Sequence, residues 1–124
     1  MSLQSDLGKV RGLGSAKEGT HHWWWQRVTA IAMIPLSIWF ISGLLCMIDG
    51  THQEAINWLS KPHVTVLTVA FLCALFYHLK LGMQVVIEDY LHQEWVKIAA
   101  LIGLKFASVL GALAAIIAIL KISL

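Results

Sequence analysis

Three long apolar stretches separated by short polar links dominate the sequence. Residues 28–48 contain no charged side chain, residues 64–87 contain one histidine, one lysine and one glutamine, and residues 96–120 contain two lysines. A helix needs about 20 apolar residues to cross a hydrocarbon core of roughly 30 Å. Each stretch is long enough, so the pattern predicts three transmembrane helices.

The flanking residues indicate where these helices begin. Three tryptophans at 23–25 are of the kind that settles at the headgroup level before helix one, and Pro35 is expected to kink that helix. Ser60 is a plausible N-cap for helix two, with Pro62 in the first turn. We therefore expect one membrane-anchor domain over residues 1–124, with a polar tail at 1–22, helix one at about 23–48, helix two at about 61–90 and helix three at about 95–121.

Composition supports a membrane protein of all-α class. The 124 residues are 58% hydrophobic and 13% charged, which is too apolar for an ordinary soluble domain, and the chain is too short for two domains. The formal net charge is +2, and the basic residues are scattered rather than clustered. This pattern argues against a nucleic-acid partner.

The basic residues also indicate an orientation. Lys9, Arg11, Lys17 and Arg27 lie on the N-terminal side of helix one, whereas the link between helices one and two carries only Lys61. Positively charged flanks stay on the cytoplasmic side of a membrane. We expect a cytoplasmic or matrix-side N-terminus, with the link between helices two and three on the same side.

His78 is the clearest candidate for chemistry, because an ionisable side chain at membrane depth is costly and usually functional. At 100° per residue, Ala70, Ala74 and Gly82 share its helix face, and Asp89 falls within about 20° of it. Small neighbours would admit a flat macrocycle bound through the imidazole, which is a common haem iron ligand. A histidine hydrogen-bonded across helices within a small-residue stripe fits the spacing equally well.

A second intramembrane ligand is missing from this chain. His63 lies roughly 22 Å from His78 along the same predicted helix, and the other four histidines lie outside the predicted spans. A haem with two histidine ligands would need a partner chain. Helix three offers a face for close helix contact, within this chain or with a partner, through small residues at four-residue spacing: Gly103, Ala107, Gly111 and Ala115.

Other polar residues near the membrane have weaker claims. Glu88, Asp89 and Tyr90 end helix two where a phenol and a carboxylate could serve a quinone carbonyl, although ordinary interface residues look the same and are the commoner case. Arg27 could pair with an anionic group such as a haem propionate, but a positive-inside anchor is the better explanation from sequence. Lys80 is expected to reach toward an interface.

Two segments together identify a family. The segment HHWWWQRVTAIAMIPLSIWFI and the later YHLKLGMQVVIEDYLH, within residues 12–95, resemble the small D-type cytochrome b membrane-anchor subunits of succinate dehydrogenase, respiratory complex II. The specific parts are the GSAKEGTHHW…QRVTA approach to helix one and the H-x₃-G-x₆-DY pattern of helix two. The resemblance is greatest to alphaproteobacterial and mitochondrion-encoded subunits.

The resemblance implies a role for each matching residue. His78 corresponds to an axial ligand of haem b, with the other axial histidine supplied by the larger C-type anchor subunit. Tyr90 corresponds to the tyrosine that hydrogen-bonds ubiquinone, and Asp89 to the acid beside it. His21 and Arg27 correspond to residues near the haem propionates, although His22 competes with His21 for that role.

The resemblance also implies a function for the whole chain. It would form half of a two-chain helical anchor bundle, tether the flavoprotein and iron-sulfur subunits of succinate:ubiquinone oxidoreductase to lipid, and contribute to the ubiquinone site without any succinate-oxidising site of its own. The expected location is the bacterial inner membrane, or the mitochondrial inner membrane if organellar. Two alternatives stay open: an anchor of a quinol:fumarate reductase, and a haem-free scaffold or transport protein.

Overall fold

The computed structural model describes residues 5–12 and 19–124, and this part of the chain contains helices and no strands. Three of the helices, Gly19–Cys46, Pro62–Tyr90 and Glu94–Ser123, are long and apolar enough to cross a membrane. The predicted all-α class with three spans is therefore confirmed. Residues 1–4 and 13–18 of the expected polar tail, with Lys17 among them, lie outside the described residues. The helices are α1 (Asp6–Arg11), α2 (Gly19–Cys46), α3 (His52–Leu59), α4 (Pro62–Tyr90) and α5 (Glu94–Ser123).

The first spanning helix begins earlier than the sequence pattern suggested. α2 begins at Gly19, and no glycine or proline interrupts the segment from there to the tryptophans. His21 and His22 are therefore helical residues of α2 and not part of a preceding tail. The helix also continues through Pro35 before it ends at Cys46.

The link after α2 contains a short helix that hydrophobicity alone did not predict. Thr51 caps α3: its side chain accepts from the Glu54 backbone N–H at 3.3 Å, and the Glu54 carboxylate accepts from the Thr51 N–H at 2.7 Å. Ser60 ends this helix, so its expected role as N-cap of the next one is wrong. Lys61 takes that position, followed by Pro62 in the first turn, where a missing N–H costs nothing.

The three spanning helices lie in a row with α4 in the middle. α4 packs against both α2 and α5, whereas no Cα of α2 lies within 8 Å of one in α5. α3 packs against α4 and α5, and its Trp58 ring stacks on Trp39 of α2 at 5.7 Å between centroids. The side chains of α3 thus connect all three spans at the end of the molecule opposite Tyr90.

The chain itself buries very little of the apolar surface of its three spanning helices. Among the described residues, only Val64, Leu81, Thr29 and Thr68 are buried, and α5 has no buried residue. Large apolar side chains are exposed along all three spans. Helices that are apolar on all sides require lipid or other helices around them.

The small-residue face predicted for α5 is divided between two environments. A Cβ on Gly111 would meet the Phe76 ring of α4 at 2.7 Å, so this glycine permits close packing of the two helices. A Cβ on Gly103 would meet nothing within 4 Å, and Ala107 is exposed. Only part of the face is used within the chain.

Candidate functional site

His78 lies at the contact between α2 and α4, half-buried, with one ring nitrogen engaged. Its Nδ1 is 3.0 Å from the hydroxyl oxygen of Thr29, which is only 7% exposed. The pairing joins residues 49 positions apart, so no local pattern could have revealed it. The imidazole is therefore held across two helices, as the hydrogen-bonding alternative required, and its other nitrogen, Nε2, forms no hydrogen bond within the described residues.

The Thr29 hydroxyl also contacts two backbone carbonyls within its own helix, that of Trp25 and, at 3.2 Å, that of Gln26. Its oxygen lies 2.7 Å from the carbonyl of Trp25, one turn earlier, and donates its proton there. Threonine in an apolar helix commonly satisfies its hydroxyl in this way. In the sequence Thr29 is one of three hydroxyl residues within the uncharged stretch 28–48, so nothing there distinguished it from Ser37 and Ser42.

The small residues around His78 do not form one open face. Gly82, one turn along α4, faces α2, where an added Cβ would lie 3.7 Å from the Gln26 amide nitrogen. That is an ordinary contact distance, while Ala70 at the other end of the stripe is exposed. The structure therefore places the two ends of the stripe in different surroundings.

A cavity of about 360 Å³ lies between α2 and α4, beginning one turn beyond His78. Two polar atoms beside it, His22 Nε2 and Gln26 Oε1, are buried without a hydrogen-bond partner. Buried polar atoms of this kind usually bind a partner from outside the chain, such as a bound group or water. The cavity is lined by His22, Trp23, Gln26, Arg27, Gly82 and Val85.

Arg27 brings a positive charge to this cavity. Its guanidinium carbon lies 4.8 Å from the centroid of the Trp23 ring, in a cation–π arrangement. This contact does not use the guanidinium N–H groups as hydrogen-bond donors. Arg27 is exposed and lies in the third turn of α2, so it is further along the helix than the sequence suggested. An anionic group could pair with it there.

His21 and His22 occupy different positions. His21 is exposed, and its ring makes an edge contact with Trp25 at 6.0 Å between centroids. Both histidines line a second cavity of about 480 Å³, but only His22 also lines the cavity with Arg27. This second cavity is also bordered by Lys80, whose amine lies 5.6 Å from the Tyr77 ring centroid.

Asp89 and Tyr90 are the last two residues of α4, and both are exposed. Tyr90 is 77% exposed. At 1.5 Å per residue, Tyr90 lies about 18 Å along the helix from His78. The pairing of Thr29 with His78 puts Arg27 within about one turn of the His78 level, so the structure does not bring Arg27 to Tyr90.

No group of three histidine, cysteine or carboxylate side chains that could hold a metal ion occurs among residues 5–12 and 19–124. A metal centre that uses these residues would therefore take at most two such side chains from the described part of the chain. A haem iron, whose four equatorial ligands come from the macrocycle, needs only axial side chains from protein.

Comparison with known proteins identifies the family. Residues 1–112 match the family described as succinate dehydrogenase/fumarate reductase transmembrane subunit. The chain is 36% identical over 118 residues to the succinate dehydrogenase hydrophobic membrane anchor subunit of Rickettsia bellii, covering 94% of each.

Two further relatives carry the same name. The chain is 38% identical over 90 residues to the protein of Rickettsia conorii, covering 72% of this chain and 71% of the relative. It is 28% identical over 97 residues to that of Paracoccus denitrificans, covering 78% and 75%. No solved structure shows a significant match. With its three apolar spans, this multi-pass membrane protein therefore belongs to the family of succinate dehydrogenase/fumarate reductase transmembrane subunits.

Proposed function

We propose that the chain is the membrane-anchor subunit of a succinate:ubiquinone oxidoreductase, and that it shares a haem b with a C-type anchor subunit through His78. The main observation behind this proposal is the environment of His78. Its imidazole lies within a membrane-spanning helix and is hydrogen-bonded through Nδ1 to Thr29. That bond leaves Nε2 for an iron atom. Within the described residues Nε2 has no hydrogen bond.

The residues around His78 fit a b-type haem. Besides an imidazole nitrogen for the iron, a haem needs cationic or N–H groups for its two propionates. Arg27 and His22 offer such groups beside the neighbouring cavity, and the His22 Nε2 atom is buried without a partner. His21, which the family resemblance suggested for this role, is exposed and does not line the cavity with Arg27. When bound, the haem would supply an iron that accepts and returns one electron.

A partner chain would complete this arrangement. The remaining histidine of α4, His63, stands at the start of the helix, about 22 Å from His78. The exposed apolar faces of α2, α4 and α5 provide surface for a second set of helices. The C-type anchor subunit is the proposed source of both the second axial histidine and those helices.

Quinone reduction is assigned to the end of α4. The Tyr90 hydroxyl would donate a hydrogen bond to a quinone carbonyl. The adjacent Asp89 carboxylate would keep the site hydrated and exchange protons with water. Both side chains are exposed and form no hydrogen bond within the described residues. They are therefore available to a quinone held partly by other subunits.

The tethering role follows from the proposed orientation. With the N-terminus in the cytoplasm, or in the matrix of an organelle, the end of α4 and the start of α5 face the same compartment. The flavoprotein and iron-sulfur subunits would dock there, close to Tyr90. Succinate oxidation would take place in those soluble subunits, and this chain would sit in the bacterial inner membrane or the mitochondrial inner membrane. Reporter fusions at both ends would test the orientation, and a cytoplasmic signal from the C-terminus would contradict it.

Purification of the tagged chain from its native membrane tests the whole proposal. We expect a flavoprotein, an iron-sulfur protein and a second anchor to co-purify with a reducible b-type spectrum. That spectrum should be lost in His78→Ala and kept in His63→Ala, a control on the same helix. A haem-free wild-type preparation would favour the scaffold or transport alternative.

The physiological direction of the reaction and the identity of the quinone need a separate measurement, since the family includes fumarate reductase subunits. Succinate-dependent ubiquinone reduction that is much faster than quinol-dependent fumarate reduction would support the proposed direction. The reverse ratio, obtained with menaquinol, would assign the chain to a quinol:fumarate reductase.

A further inference from the structure

Thr29 is the only residue in the described part of the chain that forms a hydrogen bond with His78. We propose that Thr29 is a positioning residue, which fixes the tautomer and the ring orientation of His78 so that Nε2 is directed to the haem iron. This inference rests on the haem-ligand role proposed above. It concerns a residue that does not itself touch the iron.

The direction of the hydrogen bond follows from the number of protons available. A threonine hydroxyl has one proton, and both backbone carbonyls near Thr29, those of Trp25 at 2.7 Å and Gln26 at 3.2 Å, can only accept it; the Trp25 contact is the shortest that the hydroxyl makes. The hydroxyl oxygen then faces His78 Nδ1 at 3.0 Å with a lone pair. The proposal therefore has the imidazole supply the proton of that contact, with hydrogen on Nδ1.

This tautomer is the one that a metal ligand requires. A neutral imidazole protonated at Nδ1 has its remaining lone pair on Nε2. Ligating histidines generally donate the other ring N–H to a fixed acceptor, which holds the ring and raises its basicity as a ligand. The Thr29 hydroxyl is such an acceptor for the His78 imidazole. Its own hydrogen bond to the Trp25 carbonyl anchors it to the backbone of α2.

The surroundings of Thr29 make the arrangement rigid. The side chain is 7% exposed, and its hydroxyl is fixed to the helix one turn before it. The ring of His78 cannot rotate without losing its bond to a buried oxygen, which would then be left without that donor. Burial of this kind increases the cost of breaking the bond.

Thr29→Val tests the proposal, because valine keeps the shape of threonine and removes the hydroxyl. In the purified complex we expect haem to transfer to apomyoglobin roughly 10- to 100-fold faster, the usual effect of removing a residue that supports a metal ligand. We also expect a higher haem midpoint potential, since a less basic imidazole stabilises ferric iron less. The low-spin ferric electron paramagnetic resonance signal should shift or broaden as the ring orientation relaxes.

Two further variants separate a positioning role from packing. Thr29→Ser keeps the hydroxyl and loses a methyl group, so its haem properties should stay near those of the wild type. Thr68→Val is the matched control, because Thr68 is 1% exposed and its hydroxyl oxygen has no partner. If Thr29→Val does not accumulate, Thr29→Ala against Thr29→Ser gives the same comparison, one hydroxyl apart.

The outcomes distinguish this inference from the proposed function. A wild-type complex that contains haem and loses it in His78→Ala, but is unchanged in Thr29→Val, would overturn only the role of Thr29. Equal effects of the valine and serine substitutions would also overturn it, in favour of packing. A haem-free wild-type complex, or haem retained in His78→Ala, would overturn both.

Discussion

Gly43 of α2 lies directly against the indole ring of Trp58 of α3, so closely that a Cβ at this position would overlap the ring. The contact seats a short interfacial helix against the first span. Trp58 also stacks on Trp39, which lies one turn earlier on α2. The absence of a side chain at Gly43 therefore allows α3 to pack closely against α2.

Gly43→Ala is expected to destabilise the chain despite the better helix propensity of alanine. Overpacking costs about 1–3 kcal/mol, whereas replacing a helical glycine by alanine gains up to about 1 kcal/mol. The thermal midpoint of the purified complex should fall. Adding Trp58→Phe, which has a smaller ring, should restore part of the loss, and failure of that rescue would contradict the proposed contact.

A second glycine sets the distance between the second and third spans. Gly111 of α5 lies under the Phe76 ring of α4, whereas Gly103, two turns earlier, has open space around it. Gly111→Leu should therefore lower the thermal midpoint or the yield of the complex by forcing α4 and α5 apart.

Gly103→Leu is the matched control for this pair, because it makes the same change on the same helix. It should be tolerated if lipid covers that position. A larger loss at Gly103 than at Gly111 would show instead that a partner helix packs against the exposed end of the α5 face.

These contacts show what the sequence could and could not predict. Hydrophobic runs located the three spans because length and apolarity are local properties. α3 was missed because eight residues of mixed polarity carry no such signal, although the Thr51-x-x-Glu54 capping box was legible in the sequence. Assigning Ser60 to the wrong helix followed from that omission.

The candidate site divides in the same way. His78 could be singled out as a candidate because a histidine inside an apolar stretch is unusual. Its partner Thr29 and the different placements of His21 and His22 depend on how α2 packs against α4. Helical counting within one segment cannot supply that information.

Tyr90→Phe is expected to slow succinate-dependent quinone reduction while leaving haem content and assembly intact. Loss of one hydrogen bond of about 0.5–1.5 kcal/mol corresponds to roughly a two- to tenfold change in KM or rate. Steady-state kinetics with a soluble quinone would measure it.

Tyr77→Phe is the control for this measurement. The chain has two tyrosines, and the Tyr77 hydroxyl forms no hydrogen bond within the described residues, while its ring contacts Trp25 edge-on. Quinone kinetics should be unchanged in that variant. Equal slowing in both variants would remove Tyr90 from the quinone site.

The two neighbouring histidines of α2 should differ in their effect on haem retention. His22 has a buried, unpartnered Nε2 and lines the cavity with Arg27, whereas His21 is exposed. If a propionate binds there, His22→Ala removes a hydrogen bond to a charged group, worth about 1.5–3 kcal/mol, and haem should bind roughly tenfold or more weakly. His21→Ala should release haem at the wild-type rate. Haem transfer to apomyoglobin measures both variants, and faster loss from His21→Ala than from His22→Ala would return the propionate role to the residue that the family resemblance first indicated.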